Sequence, residues 1–238
     1  MSSLDSEQAT AIPLLLGLCD SARGLLANAA SILERHAYDE APRLVRDDDE
    51  LDDGCKAAER ELERALQHGD ASLERIRSTF AMLRIVDHLE RIGDYAVTIA
   101  KLVELSEGLA RDPLVLKRLL DSAAHVDAMF ETARSSLEHL DESQAVSLLD
   151  ADQFVNTANR AVVKQLLDLG ADSMLREWSL RMVLVSRCLE RAGDHLVDVG
   201  EQVAYLATGT FRELSSPKAG GEASRVRREG ALDAPIEP

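Results

Sequence analysis

The sequence predicts an all-α protein made of two copies of a three-helix unit, and three observations carry that prediction. Hydrophobic residues make up 45% of the 238-residue chain but aromatics only 3%. Cores of Ala, Leu and Val with few aromatic or β-branched runs suit helix-on-helix packing better than sheets. Apolar residues also recur at alternating steps of three and four, which is one face of an α-helix. Met82, Ile85, Leu89, Ile92, Ala96, Ile99 and Val103 do so in one stretch, and Met182, Val185, Leu189, Ala192, Leu196, Val199 and Val203 in another. Those two stretches are one motif written twice. At a constant shift of 100 positions, Met82, Leu89, Glu90, Arg91, Gly93, Asp94 and Val97 meet identical residues, the mark of a duplicated supersecondary unit.

The elements follow in order. A first helix runs from about Glu7 to His36, with Pro13 placing its true start a turn or two later. Asp39 caps a second helix with Pro42 in its first turn, and that helix stops at His68-Gly69-Asp70. Asp70 caps the third, which holds the first copy of the motif and ends near Gly108. Asp112-Pro113 opens a fourth helix that runs to about His139. Asp141 and Gln144 form a capping box for a fifth, which ends at Gly170. Asp172 opens the sixth, which carries the second copy and stops at Gly209. Short connections make consecutive helices antiparallel neighbours. The expected units are residues 1–108, 109–209 and a tail, 210–238. Ser215-Ser216-Pro217, Gly220-Gly221 and Ala234-Pro235 leave that tail too little apolar surface to fold, and Arg225, Arg227 and Arg228 make it locally basic.

Charge narrows the partners. A net charge of −16 repels phosphate backbones and anionic lipid, which argues against nucleic-acid binding and favours cations or a basic face on a protein. Cys19, Cys55 and Cys188 are far apart and in no metal-ligand spacing, so they read as free thiols in a reducing compartment. The apolar run Ala11–Leu18 has no basic n-region, and no run approaches the roughly 18 apolar residues of a membrane span. The expectation is a cytoplasmic protein without direct membrane insertion.

The chemistry lies in acids spaced four apart. Glu90 and Asp94, and Glu190 and Asp194, stack their carboxylates one turn apart beside the apolar stripe. Like charges near a core cost several kcal/mol per ion, of order, unless each is paired. The preceding helix of each half carries a matching pair, Asp48 with Asp52 and Asp152 with Asn156. Packed antiparallel, each helix pair brings four oxygen-bearing side chains together, a donor set for hard or borderline divalent or ferric cations. The alternatives are a solvated acidic face for the run Asp47–Asp53, or salt bridges to Arg84, Arg91 or Arg191. Gly93 and Gly193 stand mid-helix, where Gly costs about 1 kcal/mol relative to Ala; close approach of a neighbouring helix or of a metal cluster accounts for them. His88 and His195 flank the motifs. No Glu-x-x-His pair, Gly-rich phosphate loop or nucleophile elbow is present, so a carboxylate-bridged metalloenzyme is the weaker reading.

These residues resemble a known family. L-E-R-I-G-D-Y-A-V-T-I-A at 89–100, L-E-R-A-G-D-H-L-V-D-V-G-E at 189–201, D-D-E-L-D at 48–52, D-Q-F-V-N at 152–156 and V-A-Y-L-A-T-G at 203–209 are similar to the paired signatures of the PhoU family. The resemblance spans roughly residues 20 to 209. It implies two tandem antiparallel three-helix bundles related by pseudo-symmetry, with multinuclear clusters of iron or of zinc, manganese or magnesium on the acidic motifs. By position the ligands it implies are Asp48, Asp52, Glu90 and Asp94, then Asp152, Asn156, Glu190 and Asp194. It further implies a non-enzymatic negative regulator linking the nucleotide-binding subunit of a phosphate ABC transporter to a sensor histidine kinase. A homodimer is expected separately, because helix-rich proteins of this shape often pair. Thr98 and Lys101 depart from the family pattern, and Lys101 weakens the first half as a metal site relative to the second, where Asp198 and Glu201 stand.

Overall fold

The computed structural model describes residues 3–68, 72–169, 172–211 and 213. They form six helices and no strand: α1 (Ser3–Arg35), α2 (Ala41–His68), α3 (Leu73–Glu104), α4 (Pro113–His139), α5 (Glu142–Leu169) and α6 (Arg176–Thr208). The all-α class and the helix count match the sequence. Nearly all of the expected tail lies outside the described residues, as do Asp70 and Gly170.

Several ends form as their chemistry dictates. Asp112 accepts a hydrogen bond from the Val115 N–H at 2.8 Å, with Pro113 in the first turn of α4. Asp141 Oδ1 accepts from the Ser143 and Gln144 N–H groups at 2.9 and 3.2 Å. Gly209 closes α6 in the left-handed region, φ 70°, where the lack of a Cβ removes the strain.

Four expectations are corrected. Ser72, not Asp70, caps α3, accepting from the Arg75 N–H at 3.2 Å. Asp172 accepts from the Met174 N–H and so opens a turn; α6 begins only at Arg176, behind Leu175, which offers no side-chain cap. Pro13 lies inside α1, which starts well before it, and is exposed. Consecutive helices are neighbours within each half, but α3 and α4 do not touch among the described residues. The connection from Leu105 to Asp112 is long enough to carry the chain away.

The helices pack as a ring with two flanking members. α1, α3, α6 and α4 each touch the next around the ring, α2 lies on α1 and α3, and α5 lies on α4 and α6. All fourteen apolar residues of the two motif stripes are at most 3% exposed. Each large aliphatic side chain so buried stabilises the fold by about 1.5–3 kcal/mol relative to exposure. Arg23 of α1 donates to both carboxylate oxygens of Asp127 in α4, at 2.6 and 2.7 Å, and to Glu131 at 2.8 Å. Arg134 reaches back to Asp20 at 2.8 Å. Asp20 thus faces Arg134 while Arg23 faces Asp127, so α1 and α4 run antiparallel across the contact between the halves.

Candidate functional site

Glycine sets the geometry of the acidic constellation. A Cβ at Gly93 would lie 2.6 Å from Asp48 Oδ1 and 2.7 Å from Leu51 Cδ2. At Gly193 it would lie 3.0 Å from Asp152 Oδ1. In both halves, therefore, the first acid of the outer helix lies directly over the glycine of the inner helix. The structure places Asp48 and Asp152 at equivalent points, as the repeat anticipates, and helix approach explains both glycines.

In the first half the half-buried Asp48 carboxyl is pushed up to about 6, first by desolvation and then by Asp52 and Asp94. Lys101 opposes the shift. Glu90 is also raised, by desolvation first and then by Asp52 and Asp94. The four predicted residues therefore sit in one another's field. Among the described residues no ion pair or side-chain hydrogen bond reaches any of their carboxylates. Buried Cys55 borders the group, its thiol pushed up to about 12 by burial and then by Glu90 and Asp52.

The second half is more fully answered by protein donors. Asp152 is 4% exposed, and its carboxyl is pushed up to about 7, by burial first and then by Asp194 and Glu190. Its Oδ2 accepts from Asn156 Nδ2 at 2.5 Å, while its Oδ1 is buried without a partner. Glu190 accepts from Asn159 Nδ2 at 2.8 Å and from Arg187. Asn159 is fixed in turn by the Ser186 hydroxyl at 2.5 Å. Arg191 lies 3.3 Å from Asp194, whose carboxyl is raised by burial and then by Glu190. Of the cations expected as salt-bridge partners, Arg191 takes that role; Arg187 and Asn159 were not singled out, although Arg187 stands three residues before Glu190.

These residues fit a bound cation. An orphaned, buried carboxylate oxygen facing two further acids is stabilised by a positive ion, and all the donors are oxygen, as iron, manganese, magnesium or zinc accept. Among the described residues, three Asp, Glu, His or Cys donor atoms lie within 4.8 Å of one another only at His88, His195 and Asp198; neither acidic quartet brings three carboxylates that close as it stands. Sequence reasoning noted only that the two histidines flank the motifs. The clue available was that the repeat breaks at these positions.

Six helices in two matching sets, with acids over glycine at the same point in each, define a class: internally duplicated helical-bundle proteins. A family model described as the PhoU domain matches residues 15–103 and 119–203. This chain belongs to the PhoU family. It is 27% identical over 204 residues to the phosphate-specific transport system accessory protein PhoU homolog of Clostridium acetobutylicum, covering 84% of this chain and 92% of that protein. Its fold is similar to the phosphate transport system regulatory protein PhoU from Streptococcus pneumoniae, with a TM-score of 0.80, 22% identity and coverage of 88% and 99% of the two chains. PhoU from Pseudomonas aeruginosa is similar at a TM-score of 0.78 and 22% identity, over 87% and 100%. The described helices include none long and apolar enough to cross a membrane.

Proposed function

We propose that this protein is a non-enzymatic negative regulator of phosphate uptake and of the phosphate-starvation response. In this reading it acts in the cytoplasm as a homodimer, by contact with the nucleotide-binding subunit of a phosphate ABC transporter and with a sensor histidine kinase. Residues 1–108 and 109–209 serve as two repeats. Asp48, Asp52, Glu90 and Asp94, and Asp152, Asn156, Glu190 and Asp194, hold iron, zinc, manganese or magnesium. The match of one regulatory family to both halves of the chain is the observation that carries the reading, together with relatives named as accessory to phosphate-specific transport.

The acids supply a physical reason for metal. Carboxylates held over Gly93 and Gly193 repel one another in a partly desolvated place, and a cation between the outer and inner helix turns that repulsion into attraction. Occupancy would then fix the outer helix of each half and the face it presents to a partner. The test is elemental analysis of protein purified without chelator beside a Glu190→Gln/Asp194→Asn variant, with binding of both to the transporter subunit and to the kinase's cytoplasmic part. Metal that falls in the variant, and saturable binding of wild type to at least one partner, are the expected results. Binding to neither partner would overturn the regulator reading.

A second reading is favoured by one observation, the protein donors on Glu190 and Asp194. Arg187, Asn159 and Arg191 already answer much of that charge, as in a metal-free helical scaffold. That reading predicts a variant with unchanged metal content and unchanged partner binding.

A further inference from the structure

The contact between the two halves contains a cluster outside the eight quartet residues, although one member, Asp198, stands near enough to Asp152 to help raise it. His88 projects from α3, and His195 and Asp198 project from α6. The two histidine Nδ1 atoms are 2.9 Å apart, and Asp198 Oδ2 lies 3.6 Å from each. Neutral imidazoles satisfy such a contact only by sharing one proton between the two nitrogens, with the carboxylate beside it. The arrangement is that of three donors around a small cation.

We propose that His88, His195 and Asp198 form a site for one borderline divalent transition-metal ion of the Zn2+ class, joining the two halves of the protein. Three atoms with separations of 2.9, 3.6 and 3.6 Å lie on a circle of radius about 2.0 Å. An ion at its centre, or slightly to one side, would be at about the 2.0–2.1 Å that Zn2+ takes to imidazole nitrogen and carboxylate oxygen. The ring centroids are 5.1 Å apart, so the two Nδ1 lone pairs point nearly at one another, and a modest rotation of each ring turns them onto the ion. Two nitrogens and one oxygen, with a fourth position open, form a recognised zinc donor set, and imidazole selects such metals over the magnesium or calcium that all-oxygen sites accept.

The surroundings agree. The hydroxyl of Tyr95 lies 3.4 Å from Nε2 of His195. With Nδ1 given to the metal, Nε2 carries the proton and donates to that hydroxyl, the outer contact that holds a ligating histidine in its tautomer. The His88 and His195 side chains are 22% and 19% exposed and that of Asp198 is 41%, so the site is walled on the histidine side and open for exchange at the carboxylate. The duplication also limits the count to one. At a shift of 100, His88, His195 and Asp198 become Cys188, Tyr95 and Thr98, which cannot repeat the donor set. The two halves have diverged at the three positions that build this cluster.

The proposal does not rest on the phosphate-regulator reading, and its test separates it from the quartets. Full-length, metal-stripped protein is titrated with Co2+, reading the visible d–d absorption and the imidazole NMR signals of His88 and His195. One equivalent should produce the band, move both histidine signals and be displaced by one equivalent of Zn2+. His88→Gln and Asp198→Asn should each weaken binding about 10-fold or more, on the scale of losing even an outer-shell partner. Asp198 is accessible, so its variant keeps the fold if His88→Gln does not, as circular dichroism will report. Glu190→Gln/Asp194→Asn should retain the band. The proposal is overturned if the histidine signals do not saturate, if Asp198→Asn titrates like wild type, or if the band disappears in the quartet variant. The histidines would then share only a proton.

Discussion

Asp152→Asn should make the metal-free protein more stable at about pH 8 and leave it nearly unchanged at about pH 4. Asp152 is 4% exposed and its carboxyl is raised from 3.8 to about 7. Below 3.8 the group is protonated in both the folded and the unfolded chain. Between 3.8 and 7 the unfolded chain releases the proton while the fold retains it, so stability falls as pH rises, and above 7 the loss is complete. At 1.36 kcal/mol per unit the limit is about 4 kcal/mol. Glu190 and Asp194 share in raising the group and in taking up protons with it, which brings the expected gain to about 2 kcal/mol. The Asn side chain can still accept from Asn156 and turns a donor toward the neighbouring acids. Urea unfolding in chelator reads the effect. With a slope of about 2 kcal/mol/M, the midpoint should rise by about 1 M at the higher pH and hardly move at the lower. A lowered midpoint at the higher pH, or an equal change at both, would refute the argument that Asp152 is a buried, uncompensated acid. Metal retention should fall in the same variant, because residues kept for a ligand are often a burden without it.

Two further predictions concern packing. Gly93→Ala places a Cβ 2.6 Å from Asp48 Oδ1 and 2.7 Å from the buried Leu51; overpacking of about 1–3 kcal/mol should outweigh the helix-propensity gain of about 1 kcal/mol. Gly193→Ala meets Asp152 Oδ1 at 3.0 Å, where a small shift suffices, so thermal unfolding should find it near neutral; equal losses at both positions would count against the stated geometry. Arg23→Ala removes a two-pronged pair with Asp127 and a contact to Glu131. The pair is partly exposed, so the cost should be about 1 kcal/mol and shrink in high salt; a salt-independent loss would mean that the arginine stem, not its charge, holds α1 to α4.

Much of the site was readable before the fold was known. The shift of 100 residues paired Glu90 with Glu190 and Gly93 with Gly193, and four-residue spacing put each Glu/Asp pair on one helix side. Those signals are local, because they depend only on helical period and on comparing one stretch with another. Even so, local chemistry failed where two residues compete for one role. Ser72 takes the cap of α3, and Asp172 spends its oxygen on a preceding turn.

What the sequence by itself determined, then, is the helical class, the duplication, the apolar stripes and the acids beside them. Tertiary structure alone decided which acids are answered by protein donors: Asn159 and Arg187 reach Glu190, while no donor reaches Glu90 among the described residues. It also decided that α3 lies against α6 and not α4, and so brought His88 to His195 and Asp198, 107 and 110 positions along the chain. No period or motif encodes such a meeting. It follows from which buried faces fit together, and that is settled only when all six helices pack.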